Sequence, residues 1–197
     1  MKSSVACIGA GNVGRAWAIR FAMSDRRVNL FDISLEILDK AMTAIDKSLH
    51  DLEAANIITD ITKIRKRITP CSALDKALAG AVYVQENVVE DLALKREIFL
   101  QLDELADDKV ILASSTSEIP ASDLFSHLPG RQRCLVAHPL NPPFLIPLVE
   151  LCPSSWTSGE ILERTRQFLI EGGQKPITVN KEISGFIANR LQLAVLG

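Results

Sequence analysis

The chain has 197 residues, of which 47% are hydrophobic and 23% charged, a balance that excludes disordered and fibrous classes and leaves room for one large core. A formal net charge of −2 gives no electrostatic footing for nucleic acid or an anionic membrane as a main partner, so small molecules are the expected ligands. The four cysteines (Cys7, Cys71, Cys134 and Cys152) have no C-x-x-C spacing, no metal site is expected, and without an apolar leader or membrane-length run the expected setting is the reduced cytoplasm.

Strand-like and helix-like patterns alternate along the chain, which predicts an α/β fold: a Rossmann-type, doubly wound, mostly parallel sheet with helices on both faces. "SVACIG" (4–9) reads as the first strand, and "NVGRAWAIRFAMS" (12–24) as a helix with Val13, Ala16, Trp17, Ile19 and Phe21 on its apolar surface. "VNLFD" (28–32) is a second strand, and Ser34 caps the long helix after it. "AVYVQ" (81–85) and "KVILASS" (109–115) are further parallel strands flanking a helix over 91–106. "CLVAH" (134–138) and "IPLVELC" (146–152) come next. Thr157 and Glu160 have capping-box spacing and open a helix that stops at Gly172 and Gly173. "PITV" (176–179) is a last strand, and Ser184-Gly185 begins a final helix. That helix carries Phe186, Ile187, Leu191, Leu193, Val195 and Leu196, more apolar surface than a domain edge needs, so a second domain or a partner subunit is expected against it. Docking on its own sheet is the plainer alternative.

Gly9, Gly11 and Gly14 form G-x-G-x-x-G between the first strand and the first helix. The first glycine permits a tight turn, the second lets backbone approach a pyrophosphate, and the third allows close helix-to-strand packing. The phosphates then meet the positive end of the helix. The second strand ends at Asp32, 18 residues after Gly14. A carboxylate there accepts hydrogen bonds from the adenosine ribose and repels a 2′-phosphate, so NAD is the expected cofactor. Capping of the following helix is the competing use of Asp32.

Ligands of such a sheet bind beyond the carboxyl ends of its strands. That selects Ser114, Ser115, Thr116 and Ser117 after one strand and His138 after another. A strand-end histidine is commonly a structural hydrogen-bonder. Here Pro139, Pro142, Pro143 and Pro147 stiffen the loop beyond it, and stiffness suits a base. Glu150 sits in an apolar strand where an uncompensated carboxylate is costly, so it either faces solvent on an edge or pairs with His138. Such a pair fixes the imidazole tautomer and supports the imidazolium that forms when an alcohol proton is taken during hydride transfer.

The stretches "GAGNVGRAWA", "VQENVVEDLALKREIFLQLD", "VILASSTS", "VAHPLNPPFLIPLVEL" and "KEISGFIANRLQLA" together resemble the 3-hydroxyacyl-CoA dehydrogenase family. The resemblance implies His138 as general base, Glu150 as its carboxylate, Ser117 on the substrate's reacting oxygen and Asn189 completing the site. It implies cofactor contacts from Asn12, Val13, Asp32, Glu90 and Lys95, with Asn141 near the nicotinamide. By pattern alone, Glu90 and Lys95 read as a solvated helix start and Asn189 as an ordinary helix residue. The family continues into a helical domain that forms a homodimer and closes the substrate cleft. Residues 1–182 are therefore expected to be the NAD-binding domain, and 183–197 the start of a truncated all-α domain. The "HPLNPPFLIPLVEL" stretch is closer to the gulonate branch than to the acyl-CoA branch, favouring a small 3-hydroxy acid, with carnitine-type acids and acyl-CoA as alternatives. Lys63, Arg65, Lys66 and Arg67 form a basic cluster that reads either as a solvated helix face or as a partner for CoA phosphates.

Overall fold

A computed structural model describes residues 4–196 of the chain. Every residue of β1 (Ser4–Ile8) is buried, as suits a strand covered on both faces. With it run β2 (Arg27–Phe31), β3 (Ile68–Cys71), β4 (Ala81–Glu86), β5 (Ile111–Ser114), β6 (Cys134–Pro139), β7 (Leu148–Pro153) and β8 (Lys175–Thr178). They form one sheet in the order β3-β2-β1-β4-β5-β6-β7-β8. All pairings from β3 to β6 are parallel. β7 lies antiparallel to β6, and β8 parallel to β7. Strand order reverses between β1 and β4, and that switch point opens a crevice at the carboxyl edge.

Side-chain alternation along the strands divides the core in two. Val5, Cys7, Leu30, Tyr83, Leu135 and Ala137 point to one face, where they meet α1 (Asn12–Met23), α2 (Leu35–Ala54) and α7 (Gly159–Glu171) through Trp17, Phe21, Leu38, Ile45 and Leu169. Ala6, Ile8, Val84, Leu112, Cys134 and Val136 point to the other. There they meet α4 (Leu74–Leu78), α5 (Leu92–Leu105) and α6 (Ala121–Phe125) through Ala77, Phe99, Leu102, Leu124 and Phe125. Each fully buried large side chain contributes about 1.5–3 kcal/mol. On the first face Trp17 stacks on Phe21 at 4.9 Å, and Tyr83 stacks on Phe168 at 4.4 Å, binding α1 and α7 to the sheet's middle.

Ser34 caps α2 as its sequence predicts, accepting from the Ile37 N–H at 3.3 Å. The structure differs from the sequence reading at other points. Edge strand β3, helix α3 (Ile61–Arg65), α4 and α6 are additions to the expected elements, because each is four or five residues long, too short to show a period. The cap of α7 is Ser158, which accepts from Ile161 N–H. Thr157 is drawn away because its hydroxyl donates to the Cys134 carbonyl at 2.7 Å. The last helix, α8 (Ala188–Leu196), begins later than Ser184, since Phe186 has a positive φ of 48° and its side chain joins the second core. Leu191, Leu193, Val195 and Leu196 are exposed. The basic cluster lies at the amino edge of the sheet, away from the crevice. Arg65 pairs with Asp46 at 2.6 Å, and Arg67 pairs with Asp25 and donates to the Ala22 carbonyl. Among the described residues no helix is long and apolar enough to cross a membrane.

Candidate active site

The cofactor end of the crevice is shaped by atoms that are missing. Gly9, with φ of 93°, follows β1, and a Cβ there would lie 2.8 Å from the Asn87 carbonyl oxygen. A Cβ on Gly14 would lie 1.8 Å from the Gly9 oxygen, so α1 touches the turn only because this position is bare. Gly11 is the opposite case: nothing lies within 4 Å of a Cβ built on it. It precedes α1 as an N-cap without a side chain, so no capping side chain serves the first helical N–H groups, at Asn12 and Val13, and this helix start suits an anion. Asp32 stands beside this opening. Its Oδ2 accepts from Ala10 N–H at 3.0 Å and its Oδ1 from Ser34 N–H at 3.1 Å. Ser34, not Asp32, caps α2. A mostly apolar cavity of about 370 Å³ adjoins them, with Ile33, Ile37, Val88 and Leu94 in its walls.

Between the two ends of the crevice lies a cluster that sequence reasoning reads differently. Glu86, the last residue of β4, is wholly buried, and its Oε1 accepts from Lys95 Nζ at 2.8 Å and Val88 N–H at 2.6 Å. Ser114 Oγ donates to its other oxygen at 2.5 Å. Burial pushes the Glu86 carboxyl above its ordinary range, and Lys95 pulls against that. Lys95 is itself 1% exposed, and its remaining contacts are the Val88 carbonyl at 3.1 Å and Glu90 at 3.4 Å. The structure therefore places Lys95 beneath the loop after β4 and not in the crevice. Glu90 reaches across to the next loop, accepting from the Thr116 hydroxyl and from Ser117 N–H at 3.0 Å. Glu86 lies in an apolar strand pattern, and only its charge inside that pattern could have marked it.

At the other end, His138 and Glu150 are direct register partners across the antiparallel β6–β7 pair. Opposed residues on one face have Cβ atoms about 5 Å apart, which two short side chains can span. His138 Nδ1 meets Glu150 Oε2 at 2.7 Å, with the imidazole side chain 7% and the glutamate side chain 0% exposed. Glu150 is thus buried and paired, not on a solvent edge. Its second oxygen accepts from two backbone N–H groups at the start of α8, Ile187 at 2.8 Å and Ala188 at 2.9 Å. No sequence signal announces these donors. Asn189 Nδ2 donates to the Ser117 carbonyl at 2.9 Å, so the loop after β5 and the first turn of α8 are tied together. Ser117, His138, Asn141, Glu150 and Asn189 all line one cavity of about 670 Å³, with Leu140, Ile146 and Gln192.

With that geometry in place, similarity to known proteins is decisive. The profile of the 3-hydroxyacyl-CoA dehydrogenase NAD-binding domain matches residues 4–183. The chain belongs to that family. Among its relatives it is 42% identical over 195 residues to the human lambda-crystallin homolog, covering 98% of this chain and 61% of the relative. It is 35% identical over 191 residues to an L-carnitine dehydrogenase of Streptomyces griseus, covering 97% and 56%. Of solved structures, (S)-3-hydroxybutyryl-CoA dehydrogenase PaaH1 from Ralstonia eutropha superposes with a TM-score of 0.93 at 29% identity, covering 99% of this chain and 69% of that one. The chain spans about three fifths of the length of the first curated relatives it matches. Members of the 3-hydroxyacyl-CoA dehydrogenase family are NAD-dependent dehydrogenases, and NAD is the cofactor of this domain. The residues present fit it. The open face at Gly11 and the uncapped start of α1 suit the pyrophosphate, and Asp32 stands where ribose hydroxyls can donate to it.

Proposed function

We propose that the protein is an NAD-dependent 3-hydroxy-acid dehydrogenase acting on a small, L-gulonate-like substrate. The observation that carries this reading is the 2.7 Å bond from His138 Nδ1 to Glu150 Oε2 in the wall of a cavity shared with Ser117 and Asn189. When bound, NAD supplies the hydride acceptor. The chain supplies the proton's destination. With Nδ1–H given to Glu150, the lone pair of His138 is on Nε2, which takes the proton of the substrate hydroxyl while the carboxylate stabilises the imidazolium. Ser117 Oγ and the Asn189 amide orient the reacting oxygen, and Asn141 stands at the nicotinamide side of the cavity. Glu90 and Lys95 support the cofactor by fixing the loop after β4.

The gulonate preference is supported by the resemblance of residues 138–151 to that branch of the family. A carnitine-type substrate, also a 3-hydroxy acid, is favoured by the 35% identity to an L-carnitine dehydrogenase. In this reading residues 1–182 are the cofactor domain and 183–197 open a helical domain through which the protein forms a homodimer in the cytoplasm. The exposed apolar side of α8 favours a second reading from another class, a non-catalytic NAD-binding module that docks on a protein partner. Following NADH formation with L-gulonate, L-carnitine and 3-hydroxybutyryl-CoA, for this chain and for one extended by a relative's helical domain, separates them. Turnover with L-gulonate supports the first reading, and a faster rate with either other substrate reassigns it. NADH binding without turnover in both forms selects the binding module.

A further inference from the structure

The turn leading into α8 takes a costly conformation. Gly185 has φ of 72° and Phe186 has φ of 48°, two successive residues in the left-handed region. Glycine accepts this freely, whereas a phenylalanine there is strained and persists only when its surroundings over-determine it. Two features hold it. Its ring is 1% exposed within the second core, and the ring centroid lies 5.5 Å from that of His138. The turn itself is stitched to the loop after β5, with Gly185 N–H on the Glu118 carbonyl at 3.4 Å.

The consequence of the conformation appears one residue later. Ile187 and Ala188 aim their N–H groups at the same carboxylate oxygen, Glu150 Oε1, at 2.8 and 2.9 Å. Successive backbone N–H groups that converge in this way form a concave anion receptor, here filled by a side chain of the same protein. With Oε1 fixed, Oε2 is directed at His138 Nδ1. A ring that only sealed the core would not need a left-handed backbone.

We propose that Phe186 is a positioning residue for the His138–Glu150 pair: its backbone turns two N–H groups onto Glu150, and its ring sets the tilt of the imidazole. The inference deepens the reading of His138 as the base and rests on it for its catalytic meaning. The pairing itself is measurable without catalysis.

The test compares Phe186→Ala and Gly185→Ala with the unaltered chain in the presence of NADH. It reads the Nδ1–H proton resonance of His138, assigned by its loss in His138→Gln. In Phe186→Ala the resonance is expected to vanish into solvent exchange or move far from its original position. NADH affinity should stay within about twofold, because the altered turn is remote from the Gly11 opening. In the form that turns over, kcat should fall about tenfold with KM for NAD unchanged, the signature of an interaction made in the chemical step. Gly185→Ala keeps the ring and strains only the turn, so a smaller displacement of the same resonance is expected. A folded Phe186→Ala protein with an unchanged resonance overturns the proposal. If that variant does not fold, an unchanged resonance in Gly185→Ala overturns it instead. A chain that binds NADH, turns over nothing and still shows the Phe186-sensitive resonance strikes the functional reading and leaves the positioning role standing.

Discussion

At β1 and α1 the crevice is defined by bare backbone, with glycines where a Cβ would collide and helical N–H groups left open. At β6 and β7 it is defined by two ionisable side chains whose spacing is set by strand register, with the second carboxylate oxygen held by N–H groups at the start of α8. The glycine turn and Asp32 come from about thirty residues of continuous chain, the length of one βαβ unit, with Asn87, Val88 and Leu94 packed beside them. The second draws on β5, β6, β7 and α8, so it exists only when distant segments have assembled. A local site can tolerate change elsewhere; a composite one reports on the whole fold.

Four experiments probe that contrast. The largest effect is expected from His138→Gln, which should lower turnover by roughly 10²–10⁴-fold while leaving NADH affinity near its original value by fluorescence titration. Parallel loss of NADH binding would show that the two ends are not separable. Next is Lys95→Met, which leaves the buried Glu86 carboxylate unpaired and should cost about 3–5 kcal/mol of stability by urea unfolding. Adding Glu86→Gln removes the stranded charge and should recover most of the loss. If the double variant is no more stable than the single one, the pair is not what holds the loop.

Asp32→Ala removes an acceptor at the cofactor end alone. It should weaken NADH by about 1.5–3 kcal/mol, the range for hydrogen bonds to a charged group, and narrow the preference over NADPH. The His138 Nδ1–H resonance should not move. The smallest effect is expected from Ser34→Ala, which uncaps α2 for about 1 kcal/mol and should lower the melting temperature with little change in NADH affinity. A large affinity loss there would mean that the hydroxyl cap also fixes the turn whose backbone N–H holds Asp32.

This contrast also explains what could be read from the sequence. The glycine loop, Asp32 and the cap at Ser34 are local chemistry at fixed spacing, and they stand where the spacing predicts. The His138–Glu150 pair was legible because a carboxylate in an apolar strand demands a partner, and the structure supplies the one inferred. Other parts were not legible. β3 has one buried residue, Ile68, and exposes Thr69 and Pro70, so it lacks both alternation and apolar content. Lys95 next to Asp91 and Glu90 looks like solvated charge, and only the depth of Glu86, a tertiary property, draws it inside. The N–H groups on Glu150 belong to backbone, which carries no letter in a sequence. Phe186 reads as one apolar residue among many until its φ is known.

The two members of the base pair are 12 residues apart in sequence yet adjacent across a two-stranded ladder, and the segment between them, which carries Leu140, Asn141 and Ile146, is the wall of the cavity. Insertions or deletions in that segment would reshape the wall without changing the separation of the pair, because the ladder and not the loop sets it. In the proposed reading, substrate preference can therefore change through one short hairpin connection while the His138–Glu150 pair is kept, which makes residues 140–147 the natural stretch to exchange between relatives when a different hydroxy acid is wanted.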